Sequence, residues 1–263
     1  MNLGLSGRVA VVAGASAGLG KASALALAQE GAKLSVASRS LARAKAAAAE
    51  IAGKTRVEVA AFAADVEDTQ QSKRWIDGTL KRFGRVDVLV CNAGGPPEGP
   101  ALEATDAEWR EGFERNLLSF ARLSRLVAPS MKKAGWGRIV MIGSTSAKMP
   151  IENLAISNVL RTGMLSLAKT LSDELGPDGI TVNSVLPGYT TTERLEELAK
   201  SAAARRGVST AKVYEIWAAS VPLRRLADPR ELGQAVAFLS STSASYITGQ
   251  ALAVDGGRTR SPF

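Results

Sequence analysis

Ala13-Gly14-Ala15-Ser16-Ala17-Gly18-Leu19-Gly20 follows directly on the apolar run Val9 to Ala13 and opens onto an alanine- and leucine-rich segment, Lys21 to Gln29. A short β-branched run bounded by glycine reads as a buried strand, and the segment after it as a helix. Glycine, lacking a Cβ, permits the tight turn between them and a close approach of backbone to a pyrophosphate. The helix that starts there offers free amide donors and a favourable dipole to an anion. The spacing is Gly-x-x-x-Gly-x-Gly, which alone marks a structural turn as readily as a phosphate site. Its place between first strand and first helix points to phosphate.

Outward from this turn the same alternation continues. Apolar, β-branched runs recur at Leu34 to Ala37, Val57 to Phe62, Val86 to Cys91, Ile139 to Ile142, Ile180 to Leu186 and Ala251 to Val254. Between them lie helix-like segments such as Leu41 to Ile51, Gln70 to Arg82 and Trp109 to Met131. Strand and helix in alternation predict an α/β fold: a Rossmann-type, doubly wound parallel sheet of about seven strands with helices on both faces. No composition shift, linker or repeat divides the 263 residues, so residues 1–263 are expected to form one domain.

Composition removes several function classes. With no histidine, hydrolase triads built on histidine and histidine-ligated metal sites are excluded, and one cysteine, Cys91, makes neither a disulfide nor a metal cluster, so no metal is expected. A reducing, cytoplasmic setting fits a lone cysteine. Met1 to Arg8 has no signal-peptide pattern, and no apolar stretch reaches the length of a membrane span, so a soluble protein is expected. The net charge of +8 is scattered, without basic residues interleaved with aromatics, which argues against nucleic acid and for a diffuse field that attracts phosphorylated or acidic small molecules.

The second predicted strand ends in Ser38-Arg39-Ser40, where an acidic residue would grip the ribose hydroxyls of NAD. Arg39 between two hydroxyl residues suits a 2′-phosphate through charge-assisted hydrogen bonds, which favours NADP(H) over NAD(H). The alternative is that Arg39 caps a surface turn.

Further motifs then fall in order. Asp65-Val66 follows the third strand, Asn92-Ala93-Gly94 the fourth, Asn116 stands in Arg115-Asn116-Leu117-Leu118, and Pro187-Gly188 follows the sixth strand with Thr190 and Thr192 close behind. The chain ends in Thr248-Gly249-Gln250 and Val254-Asp255-Gly256-Gly257. This set, from about Leu5 to Gly257, resembles the short-chain dehydrogenase/reductase family of classical type, most of all its 3-oxoacyl-[acyl-carrier-protein] reductases. The resemblance implies that Gly14, Ser16, Gly18, Leu19 and Gly20 hold pyrophosphate, that Asp65 and Val66 contact adenine, and that Asn92, Ala93 and Gly94 line the cofactor. It also implies that Asn116 holds a water of the proton relay, and that Pro187, Gly188, Thr190 and Thr192 lie by the nicotinamide.

The same resemblance exposes a departure. The family has a serine after the fifth strand, a tyrosine 13 residues on and a lysine four beyond that. Ser144 matches the serine, but the later positions hold Ser157 and Arg161, and Leu167 to Leu175 continues the family's helix with no room for a shift. Serine is a far weaker acid than a phenol, and a lost general acid typically costs about 10² to 10⁴ in rate. Arg161, at i+4 from Ser157 and so on the same helix face, keeps a fixed positive charge and hydrogen-bond donors for the nicotinamide ribose. Tyr189, Lys148 and Glu152 are the other candidates for a proton donor; as plainer readings, Tyr189 is a pocket wall and the other two are solvated loop charges.

Residues 191–222 occupy the place of the family's substrate lid, with Tyr214 and Trp217 available either to a pocket or to packing. The resemblance further implies a homotetramer or homodimer built on the apolar faces of Trp109 to Met131 and Ile151 to Gly176. Three functions stay open: an NADP(H)-dependent reductase of a 3-oxoacyl thioester or related ketone with a non-standard proton donor, a sugar or polyol dehydrogenase, and a nucleotide-binding regulatory protein without turnover.

Overall fold

The computed structural model describes residues 2–261. Seven strands form one parallel sheet in the order β3-β2-β1-β4-β5-β6-β7. They are β1 Val9–Val12, β2 Lys33–Ser38, β3 Val59–Ala63, β4 Val88–Cys91, β5 Gly137–Ile142, β6 Ile180–Pro187 and β7 Ala251–Val254. The expected runs and the observed strands differ by one or two residues at their ends. Strand order reverses between β1 and β4, which opens a crevice at the carboxyl ends of those two strands. Val12 pairs with Val90, Cys91 with Met141 and Ile142 with Val185, so the loops after β1, β4, β5 and β6 all emerge at one edge.

Alternate side chains of each central strand enter different cores, as a sheet covered on both faces requires. Val88 and Val90 face α1 (Gly18–Gln29), α2 (Leu41–Thr55) and α9 (Pro229–Leu239), whereas Leu89 and Cys91 face α3 (Thr69–Phe83), α5 (Ser119–Ala134) and α6 (Ala155–Leu175). Trp75 and Phe120 anchor the second core, each fully buried and each worth about 1.5–3 kcal/mol. Helix ends are defined by local chemistry. Asp68 accepts from the amides of Gln70 and Gln71 at the start of α3, and Asp228 with Glu231 closes a capping box around Pro229 at the start of α9. Among the described residues no helix is long and apolar enough to cross a membrane.

Two predicted helices are corrected. Trp109 to Met131 is not one uniform helix: α4 (Asp106–Phe113) passes into a π-helical turn, Glu114–Leu118, before α5 begins. Ile151 to Gly176 starts late, at Ala155, because Asn153 takes a left-handed conformation (φ 62°) and its carbonyl accepts from Gly99. Residues 191–222 contain two further helices, α7 (Glu193–Arg206) and α8 (Thr210–Ser220), with a small core of their own in which Val213 and Trp217 are buried.

Candidate active site

The glycine turn is built by contact. A Cβ on Gly20 would meet the Gly14 carbonyl oxygen at 2.3 Å, and Gly14 and Gly18 both hold positive φ (58° and 53°). The turn is strapped to the sheet by Ala13 N–H to the Val90 carbonyl and Ala15 N–H to the Ala37 carbonyl, each 3.1 Å. Asn92 Nδ2 approaches the carbonyls of Ala13 and Gly14 at 3.4 Å, joining the loop after β4 to the loop after β1. Among the described residues no side chain caps α1, whose N-cap is Ala17, nor α5 or α6, whereas α2, α3, α4, α7, α8 and α9 each have a capping side chain. The first amides of α1 are thus presented to the crevice, as an anion site needs.

At the end of β2, Ser38 Oγ donates to the Ser40 carbonyl and Ser40 Oγ accepts from Arg43 N–H, so both hydroxyls shape the turn and the start of α2. Arg39 is exposed and makes no hydrogen bond or ion pair among the described residues. Its guanidinium is thus not engaged in the turn that Ser38 and Ser40 shape. Asp65 accepts from Glu67 N–H, and the Val66 carbonyl is held by Arg122 at 2.7 Å, which fixes the loop after β3. Thr192 divides its hydroxyl between the Thr190 carbonyl and the amide of Leu195, capping α7, and its methyl would lie 3.6 Å from a Cβ on Gly18. The loop after Pro187-Gly188 thereby closes over the glycine turn.

Ser144, half-buried at the end of β5, accepts from Ser146 N–H at 3.1 Å. Ser146 Oγ then lies 3.3 Å from Ser157 Oγ, both buried. Ser157 and Arg161 share one stripe of α6 with Met164 and Ala168, the stripe that packs on the sheet. Arg161 donates Nη1 to the Ile142 carbonyl at 3.0 Å and leaves Nε buried without a partner. Burial, and then the charge of Arg194, push its guanidinium down to about 10. Asn116 sits in the π-helical turn, donates Nδ2 to the Gly94 carbonyl at 2.8 Å and leaves Oδ1 buried and unpartnered. A π turn at such a position is a frequent mark of a functional site. Glu152 is exposed and Lys148 is half-exposed, and neither is engaged with the serines.

Three residues in this region were not singled out from the sequence. Ser146 links the two anticipated serines. Arg258, after the terminal Gly256-Gly257, donates to Thr145 Oγ1 at 3.1 Å and to Tyr189 Oη at 3.2 Å. Arg194 of α7 reaches the Pro96 carbonyl at 3.1 Å, and Glu98 of the same loop binds Ser201 and Arg205 of α7, so the 191–222 segment is tied down over the loop after β4. Tyr189 stacks on Trp217 at 4.7 Å, and Tyr214 meets Trp217 edge-on. The aromatics serve the packing of this segment, with the Tyr189 hydroxyl tied to Arg258.

The family model described as Enoyl-(Acyl carrier protein) reductase matches residues 14–259. The 3-oxoacyl-[acyl-carrier-protein] reductase FabG of Vibrio cholerae is 34% identical over 255 residues, 97% of this chain and 98% of that protein. The chain belongs to the short-chain dehydrogenase/reductase family. Among solved structures of this oxidoreductase family, L-sorbose reductase from Gluconobacter frateurii, complexed with NADPH and L-sorbose, superposes with a TM-score of 0.94 at 33% identity, covering 99% of this chain and all of that one. A 7α-hydroxysteroid dehydrogenase complexed with NADH and 7-oxo glycochenodeoxycholic acid superposes with a TM-score of 0.89 at 32% identity, covering 99% of this chain and 97% of that one. Short-chain dehydrogenase/reductase relatives thus share the whole length of this chain while differing in substrate and in nicotinamide cofactor.

Proposed function

We propose that this chain is an NADP(H)-dependent oxidoreductase acting between a carbonyl and a secondary alcohol, with no tyrosine as proton donor. The observation that carries the reading is the pair of buried, unpartnered polar atoms, Asn116 Oδ1 and Arg161 Nε, at the same sheet edge as the uncapped α1. Buried polar atoms are normally paired, and although five other side-chain atoms among the described residues are also unpaired, these two stand at the sheet edge beside the glycine turn, where strand order reverses.

The residues fit a dinucleotide. Backbone amides from Gly14 to Gly20, with Ser16, hold the pyrophosphate, and unpaired Arg39 takes the 2′-phosphate, which favours NADP(H) over NAD(H). Asp65 and Val66 flank the adenine; Asn92, Ala93 and Gly94 line the ribose side; Pro187, Gly188, Thr190 and Thr192 meet the nicotinamide end. When bound, the nicotinamide supplies or accepts hydride at carbon. Ser144 and Ser157 donate hydrogen bonds to the substrate oxygen, and the fixed charge of Arg161 stabilises the negative charge that grows there. Arg161 would also hydrogen-bond the nicotinamide ribose. Neither serine replaces the phenol as an acid, so the proton for the substrate oxygen is relayed from bulk solvent through a water that Asn116 Oδ1 would hold, which takes a proton from solvent as it gives one up.

The acceptor is a 3-oxoacyl thioester or related ketone, with a sugar or polyol as the neighbouring alternative supported by the similarity to L-sorbose reductase. A binding protein without turnover is favoured by one observation, the closed Ser146–Ser157 pair. Residues 1–263 act as one domain in which 191–222 is the substrate lid, and the protein works in the cytoplasm. A homotetramer or homodimer is supported by Phe113 and Val159, apolar and exposed on α4 and α6. The test follows NADPH oxidation against 3-oxoacyl thioesters, ketones and ketoses, alongside NADPH binding by fluorescence. Turnover on any of them supports the oxidoreductase, and tight binding with none supports the silent protein.

A further inference from the structure

The sheet edge that carries Ser144 and Ser157 also gathers three guanidinium groups. Arg161 is buried and, among the described residues, pairs only with a carbonyl. Arg194 is close enough to depress it, and its own carboxylate partner, Glu197, is exposed. Arg258 forms no ion pair among the described residues. Its neighbour Asp255 turns its two carboxylate oxygens to the backbone, accepting from Gly257 N–H at 2.9 Å and Thr259 N–H at 2.7 Å, and forms no ion pair with Arg258. Those bonds set the turn after β7, and a Cβ on Gly188 would meet Asp255 Cβ at 2.7 Å, so the turn is seated directly on Pro187-Gly188.

From that seat Arg258 reaches Thr145, the residue after Ser144, and lies 4.4 Å over the ring of Tyr189. Its partners are two neutral hydroxyls and an aromatic face. A guanidinium has five donors in a planar fork suited to carboxylate or phosphate, and two neutral acceptors leave both charge and donors uncompensated. A structural arginine at this position would be expected to pair with Asp255. The chain instead spends Asp255 on backbone amides.

We infer that the substrate is a ketone bearing a carboxylate or phosphate, whose anionic group is held by Arg258 beside Thr145. This rests on the oxidoreductase reading and narrows its substrate class. Positive charge from Arg161 and Arg194 raises the local concentration of such an anion before it docks.

The test compares benzoylformate and 3-benzoylpropionate with their methyl esters, and dihydroxyacetone phosphate with dihydroxyacetone, as NADPH-dependent substrates. It also measures binding of the same compounds to the NADPH-loaded protein by calorimetry. At least one anion is expected to exceed its neutral partner about 10- to 100-fold in kcat/KM or affinity, the size of a charge-assisted hydrogen bond. The carboxylate and phosphate arms show which oxyanion is taken. Arg258→Gln is expected to collapse the anion-to-neutral ratio towards one, Arg258→Lys to keep part of it, and Thr145→Val to lower it while leaving the Arg258 charge in place. A merely structural role would weaken both members of each pair alike. Neutral partners that bind and react as well as the anions overturn the anion site and leave the oxidoreductase standing. Anion binding that depends on Arg258 without any turnover leaves the site standing and overturns the oxidoreductase.

Discussion

Ser157 Oγ lies 3.3 Å from Ser146 Oγ, so the helix position that carries a phenol in the family's usual pattern here closes a hydroxyl pair. Neither hydroxyl titrates in the accessible range. The nearby titrating group is Arg161, pushed down to about 10 by burial and by Arg194. The kcat/KM profile is therefore expected to be flat from about pH 6 to about pH 9 and to fall near pH 10, as the charge that stabilises the substrate oxyanion is lost. In Ser157→Tyr/Arg161→Lys a phenol and an amine bring a new titration into that plateau. Stopped-time assays across buffers check both profiles.

The same arginine affects stability with a definite sign. Its folded value lies below its ordinary one, so the folded protein binds fewer protons from about pH 10 up to the ordinary arginine range, and charge burial costs stability below that window, a cost that fades as pH rises. Arg161→Met is expected to melt no lower than the native protein when free of nucleotide, while losing about 100-fold in NADPH-supported turnover. Calorimetric melting and initial rates measure the two effects.

Arg39 stands unpaired among the described residues at the end of β2, so its removal leaves no stranded partner there. Arg39→Ala is expected to weaken NADPH binding about 10-fold or more, the loss of one charge-assisted bond to the 2′-phosphate, and to leave NADH binding unchanged. Fluorescence titration with each nucleotide reads the ratio.

Gly20→Ala places a methyl 2.3 Å from the Gly14 carbonyl oxygen, a clash with backbone that no rotamer relieves. The loop must widen, at a cost of about 1–3 kcal/mol in stability. NADPH affinity is expected to fall at least 10-fold because the amides of the turn lose their alignment, which urea denaturation and nucleotide titration together check.

Much of this arrangement was legible before the fold was known. The seven strands announced themselves because a sheet buried on both faces writes continuous apolar runs, and Val88 to Cys91 is such a run. The glycine turn was legible because strand, glycine and helix follow one another in sequence. The π turn at Asn116 was not, since apolar periodicity over Trp109 to Met131 does not separate a step of four residues from a step of five. Nor were Arg258 and Arg194, whose partners Thr145 and Pro96 lie 113 and 98 positions away and meet them only when the sheet edge assembles. Ser146 was nearer to hand, two residues from Ser144, but its role depends on which way the short helical turn after Ser144 points it.

The central claim is that a chain with Ser157 and Arg161 still moves hydride. The most direct measurement supplies NADPH carrying deuterium at both positions of the nicotinamide C4 to the protein with 3-oxoacyl thioesters, keto acids and ketoses, and analyses the products by mass spectrometry. Deuterium on the carbinol carbon of one product, lost in Arg161→Met, is the expected result. NADPH that binds tightly and passes deuterium to none of them would contradict the account.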